Sequence, residues 1–130
     1  MIKFKYVILY VEDVKKSMNF YHQTFDMPIK FITPEKDYGE LLTGETSLSF
    51  ASIHLASSNI KQGFLSSKSQ EKPFGIELGF TTDDVEKLVE KAVKNGAFLY
   101  EDIAVKPWGQ KVAYIKDPDH YLVEICTEIQ

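Results

Sequence analysis

The sequence is poor in cysteine and histidine and has no long apolar run. Its one cysteine, Cys126, has no partner for an intrachain disulfide, which fits a reducing compartment. No base accompanies it in the sequence, so its expected role is a small core filler rather than a nucleophile. No stretch approaches the roughly 20 apolar residues of a membrane-spanning helix. The apolar run from Tyr6 to Val11 ends at Glu12 and Asp13. It is too short for a signal-peptide core followed by a cleavage site. Lys and Arg number 15 against 19 Asp and Glu, for a net charge of -4, and the basic residues do not cluster. That makes it a poor candidate for a nucleic-acid partner, because phosphate binding needs a basic face. The expectation is a cytoplasmic protein with neither a membrane nor a nucleic-acid partner. Apolar residues make up 44% of the 130 and aromatics 13%, enough core for one compact domain.

The pattern along the chain predicts alternating strands and helices. Phe4 to Val11 is rich in Tyr, Val, Ile and Leu and reads as a strand. Asp13 offers an N-cap for "VKKSMNFYHQTF", where Val14, Met18, Tyr21 and Phe25 recur at helical spacing. That helix should stop near Asp26, since Pro28 disfavours a helical Met27. "IKFIT" reads as a short strand. "YGELLTGETSLSFASIHLA" reads as two strands with "TGET" as the turn. "SSNIKQGFLSSKSQEKP" has no clear period and reads as a linker, with room for a short helical turn and with Lys61, Lys68 and Lys72 solvated. The pattern then restarts. "FGIELGFTT" is a strand, and Asp83 is expected to cap a helix with Glu86 completing a capping box. "VEKLVEKAVKNG" places Val85, Leu88, Val89, Ala92 and Val93 on one side and ends at Asn95-Gly96. "AFLYE", "GQKVAYIK" and "YLVEICTE" are further strands, with "DPDH" as the turn before the last.

The order is therefore strand, helix, three strands, linker, and the same again. "YVILYVEDV" (6–14) lies over "ELGFTTDDV" (77–85), each ending in an acidic pair and a Val that opens a helix. The reading is α+β: two tandem βαβββ modules, a first at 1–56 and a second at 74–130, joined by a linker at 57–73. Helices cover one face of a mostly antiparallel sheet. A single module buries a sheet face poorly, so paired copies make physical sense.

Strand alternation then sorts the faces. Val7, Leu9 and Val11 share one face with Ile76, Leu78 and Phe80 of the repeat, and this is the expected helix-packing side. Tyr6 and Glu77 take equivalent places on the opposite side, where Gly79 and Thr81 leave room. In the last strand Val123 and Ile125 form the apolar pair, and Glu124 points the other way with Leu122 and Cys126. Its counterpart in the first module is Ser49. Four positions on the open faces, Tyr6, Ser49, Glu77 and Glu124, converge if the two sheets curve into one cup.

On "YVEDVKKSMNFYHQTFDM", "ELGFTTDDVEKLVEKAVKNGA" and "KPWGQKVAYIKDPDHYLVEI", the chain resembles the vicinal oxygen chelate superfamily over roughly residues 2 to 127. That superfamily includes glyoxalase I, bleomycin-resistance proteins, fosfomycin-resistance enzymes and extradiol dioxygenases. The resemblance implies paired modules forming a cup, often completed in a homodimer. In metal-dependent members four strand positions supply His, Glu or Gln ligands. Here they fall on Tyr6, Ser49, Glu77 and Glu124, of which only the last two are carboxylates. A tyrosine and a serine are weak ligands for a divalent ion. The family turn usually carries Gly where His120 stands, so this turn holds a non-Gly residue at a cost.

The resemblance allows a metal-free binder of a small organic molecule, antibiotic-like or aromatic. It also allows a metal-dependent lyase of glyoxalase I type, with Ni, Zn, Mn or Fe held by Glu77 and Glu124 and a glutamate moving the proton. A dioxygenase is the weakest reading, because His22, His54 and His120 are misplaced for the two-His, one-carboxylate set that iron prefers. If Glu77 and Glu124 are buried together without metal, repulsion and desolvation should raise one pKa. Trp108 is placed as a stacking wall at the rim, with Gln110 bonding a ligand. Tyr38 and Tyr114 are candidate lining residues, and Tyr38, at a loop edge, is a candidate gate. The expected reading is the binder, using no cofactor, with a small-molecule partner and a second copy of the chain.

Overall fold

The computed structural model describes residues 1–129. The chain divides into two compact units, Met1–Ser69 and Gln70–Gln130. The first holds β1 (Tyr6–Val11), α1 (Val14–Phe25), β2 (Ile29–Ile32), β3 (Tyr38–Leu41), β4 (Ser47–Ser52), α2 (Ile53–Asn59) and a 3-10 turn (Ser67–Ser69). The second holds β5 (Glu77–Thr81), α3 (Val85–Lys94), β6 (Phe98–Val105), β7 (Lys111–Lys116) and β8 (Leu122–Cys126). Each unit builds a four-stranded sheet, ordered β1-β4-β3-β2 and β5-β8-β7-β6. The β1–β4 and β5–β8 pairs are parallel and the other pairs antiparallel. The fold is thus α+β with a repeated βαβββ module. The parallel pair arises because the helix after the first strand carries the chain across the sheet before the last strand returns beside it.

In the first unit Asp13 caps α1 by accepting from the Lys16 amide at 3.1 Å. The helix ends at Asp26, whose left-handed φ of 57° stops it. His22 Nδ1 lies 2.8 Å from the Met27 carbonyl and helps satisfy the helix end. Val14, Met18, Tyr21 and Phe25 are all buried, as their spacing predicts. Tyr21 stacks near Phe50 of β4 at 5.4 Å and near Phe25 at 5.6 Å. Close approach of α1 to β3 depends on Gly39, where an added Cβ would overlap the Met18 sulfur and sit 3.0 Å from the Phe31 carbonyl oxygen.

The expected tail of the second strand in "SLSFASIHLA" is instead a helix. Ser52 ends β4 and accepts from the Leu55 amide at 3.0 Å, which starts α2. His54 therefore stands exposed on a helix rather than at a strand position. Part of the expected linker is likewise ordered, and its Phe64 ring packs 4.8 Å from Tyr10.

In the second unit the cap of α3 is Asp84, one residue later than expected. Its Oδ1 accepts from the Lys87 amide at 3.0 Å, while Thr82 Oγ1 accepts from the Asp84 amide at 3.2 Å. Glu86 makes no capping box and instead pairs with Lys111 at 2.7 Å. Val85, Val89 and Ala92 are buried, but Val93 is 44% exposed and Ile76 73%, so neither belongs to the packing face. Ile76 lies just before the first residue of β5. The last turn is tied by Asp117, whose Oδ1 accepts from the amides of Asp119 and Tyr121, each at 2.9 Å. His120 occupies the left-handed region there at φ 70°.

Candidate functional site

Register sorts the side chains of each sheet into a helix-packed face and an opposite one. In the second unit Leu78 pairs with Val123 and Phe80 with Ile125, on the side of α3. The opposite face carries Glu77 and Gly79 of β5, Leu122, Glu124 and Cys126 of β8, and Tyr114 of β7. Tyr114 stands directly across from Glu124 on β7, and Gly79 stands across from it on β5. An added Cβ at Gly79 would lie 3.7 Å from Glu124 Oε1, so glycine leaves space beside the carboxylate.

Both oxygens of Glu124 are engaged. The Tyr114 hydroxyl donates to Oε2 at 3.2 Å, and the Cys126 thiol donates to Oε1 at 3.3 Å. Glu77, solvent-exposed, receives no such donor but feels Glu124. Desolvation by its neighbours, then repulsion from Glu124, raises its pKa above the ordinary carboxylate value. Burial raises the Tyr114 hydroxyl, with the Glu77 charge and the Glu124 hydrogen bond adding to it. Cys126 is pushed up to about 11 by burial first and by Glu124 next, with Gln110 pulling the other way. The thiol is therefore a protonated donor rather than a nucleophile, and more than the core filler its sequence suggests.

Trp108 lies in the turn before β7 and is 62% exposed. Its indole N–H donates to Gln110 Oε1 at 2.8 Å, and Gln110 Nε2 donates to the Thr127 carbonyl at 2.8 Å. That leaves the Trp108 ring outward and spends both ends of the Gln110 amide on internal bonds.

In the first unit the face opposite α1 carries Tyr6, Ile8 and Tyr10 of β1, Ser47, Ser49 and Ala51 of β4, and Tyr38 and Glu40 of β3. Tyr6 is 49% exposed, whereas Ser49 is fully buried, so this face is not open throughout as expected. Tyr38 is the first residue of β3. Its hydroxyl donates to Glu40 Oε2 at 2.7 Å, and Lys30 approaches Glu40 Oε1 at 3.6 Å. The Tyr38 hydroxyl is pushed up to about 12, chiefly by burial, with Glu40 adding to the rise. Ser49 Oγ makes no hydrogen bond of good geometry. It lies near enough to the Tyr38 hydroxyl to favour the ionised form, and burial outweighs it. Glu40 escaped the sequence reading because it sits in "YGELL", where nothing marks it from a surface glutamate. Its pairing with Ser49 was the available signal, since Glu40 stands to Ser49 as Tyr114 stands to Glu124.

Each module thus sets one tyrosine hydroxyl against one nearly buried or fully engaged carboxylate, on a duplicated frame. A model of the glyoxalase-like domain matches residues 4–130. The chain belongs to the glyoxalase-like domain family, within the vicinal oxygen chelate superfamily. It is 32% identical over 130 residues to the uncharacterized protein YraH of Bacillus subtilis (strain 168), covering 95% of this chain and 97% of that one. It is also 32% identical over 133 residues to the lactoylglutathione lyase GLX1 of Arabidopsis thaliana, covering 95% of this chain but only 43% of that protein. A glyoxalase-related enzyme from Fulvimarina pelagi shares the fold with a TM-score of 0.82 at 20% identity, over 98% of this chain and 89% of that one.

This superfamily often uses a divalent ion, so the donors merit a test. The family positions offer a phenol at Tyr6, a hydroxyl at Ser49, and carboxylates at Glu77 and Glu124, the last with both oxygens already bonded. Among the described residues no three His, Cys, Asp or Glu side chains gather as an ion would need. This donor set does not fit a resident divalent ion. The histidines stand apart as well: His22 is spent on Met27, His54 is on α2, and His120 is in the last turn. Among the described residues no helix is long and apolar enough to cross a membrane.

Proposed function

We propose that this glyoxalase-like chain binds a small organic molecule, antibiotic-like or aromatic, without a metal cofactor. The observation that carries the reading is the engagement of Glu124 by Tyr114 and Cys126. A carboxylate held at both oxygens by neutral donors is fixed in place as an acceptor, with a second lone pair on each oxygen left to meet a ligand's donors. Glu77 beside it supplies a second carboxyl with no donor of its own. Within the same unit the outward ring of Trp108 is the further group assigned to ligand contact, since the Gln110 amide is bonded at both ends. The resemblance adds a homodimer as the working form, which light scattering tests, and the single cysteine fits a cytoplasmic compartment.

The test is a thermal-shift screen of bleomycin-type and other aromatic compounds against the unmodified chain, Glu77→Gln and Tyr114→Phe. A compound that stabilises the first and loses its effect in the variants supports the binder. A screen in which every shift survives both substitutions overturns the assignment.

A second reading, a lyase of glyoxalase I type, is favoured by the raised pKa of Glu77. A carboxyl whose pKa is raised is a stronger proton acceptor than an ordinary one. The similarity to the Arabidopsis lyase supports it over the matched part. Hemithioacetal isomerisation that disappears in Glu77→Gln would favour this reading over the binder.

A further inference from the structure

Glu124 is held from two strands. Tyr114, its register partner on β7, reaches Oε2, and Cys126, two residues on along β8 and so on the same face, reaches Oε1. Glu77 stands on β5 two residues before Gly79, the register partner of Glu124, and among the described residues no donor is seen on it. We propose that Cys126 is a positioning residue, whose thiol fixes one oxygen of Glu124 while Tyr114 fixes the other, leaving Glu77 as the carboxyl that meets a ligand directly. The proposal deepens the binding reading and rests on it only for the part played by Glu77.

The chemistry suits the role. A thiol is a weak donor, and it stays one only while protonated. The groups that face it are Glu124 on its own strand, Glu77 and, at 3.9 Å, the Phe80 carbonyl from β5, Tyr114 from β7 and Gln110 from the turn before β7, and of the two acceptors Glu124 is charged and nearer at 3.3 Å. Both carboxylates oppose formation of a thiolate, so the donor persists through the physiological range. A serine in its place keeps an O–H on the same bond vector, whereas an alanine removes the donor and leaves Oε1 unpaired.

The experiment uses the unliganded full chain. The first readout is the carboxyl carbon resonance of Glu124 in glutamate-labelled protein, compared among the unmodified chain, Cys126→Ser and Cys126→Ala. The expected result is a displaced resonance in Cys126→Ala and restoration in Cys126→Ser. The second readout is thiolate absorbance against pH in Glu124→Gln, where the onset should fall by about one pH unit as the neighbouring charge is lost. A resonance unmoved in Cys126→Ala, or a thiol titration unchanged in Glu124→Gln, overturns the proposal and returns Cys126 to packing. If Glu124→Gln does not fold, the resonance comparison alone decides. Neither readout needs a ligand, so failure of the binding reading, seen in the compound screen, leaves this result standing.

Discussion

The Tyr38 hydroxyl donates to Glu40 within a single strand, two residues apart and over 2.7 Å. Residues two apart on a strand share a face, and here the short step lets a phenol satisfy a carboxylate that is only 9% exposed. Removing the hydroxyl leaves one oxygen of Glu40 without its donor, since Lys30 approaches the other. Tyr38→Phe should therefore destabilise the chain by about 1–2 kcal/mol, as expected for an unpaired, nearly buried acceptor. Chemical denaturation of the two proteins side by side reads the difference.

Gly39 is held small by the helix above it. A Cβ there meets the Met18 sulfur and the Phe31 carbonyl, and the second is backbone that cannot swing aside. Gly39→Ala should cost about 1–3 kcal/mol from overpacking. Gly39→Ala combined with Met18→Ala should recover part of that loss relative to Met18→Ala alone, which separates the sulfur contact from the backbone one.

The raised pKa of Glu77 has a stability consequence of definite sign. A carboxyl whose folded pKa exceeds its unfolded one binds its proton more tightly when folded. Its favourable contribution is complete below the unfolded value, about 4.3, and is lost as pH rises through the higher folded value. Glu77→Gln should melt higher than the unmodified chain at neutral pH, and the gap should close in acid. Melting curves across that range check the sign, and a gap that widens in acid contradicts it.

His120 occupies a left-handed position that favours glycine, and its buried Nδ1 has no hydrogen-bond partner among the described residues. A glycine there relieves that backbone cost and gives up the edge contact with Phe98 at 5.9 Å. His120→Gly should stabilise the chain by about 1 kcal/mol. Thermal unfolding provides the measurement.

Much of the fold was legible because it rests on periodicity and capping. Val14, Met18, Tyr21 and Phe25 announced α1 by spacing, Asp13 announced its start, and the likeness of 6–14 to 77–85 announced the repeat. The misreadings were local. "IHLA" looks like strand until Ser52 is seen to cap a helix, and Asp83 and Asp84 are equivalent caps in sequence but not in hydrogen bonding. Face parity brought Glu77 and Glu124 to one side of one sheet. It could not show that Cys126 would bond Glu124, nor that Glu40 would be nearly buried opposite Ser49. Those depend on which rotamers and strand neighbours enclose a side chain, and periodicity carries no such information.

The central claim is that the polar groups of this glyoxalase-like chain recognise an organic molecule without an ion. Elemental analysis of protein purified without chelator, followed by thermal-shift titration with Ni²⁺ and Zn²⁺, tests it most directly. The account predicts no stoichiometric metal and no shift that depends on Glu77 or Glu124. One ion per chain, lost in Glu77→Gln or Glu124→Gln, would contradict it.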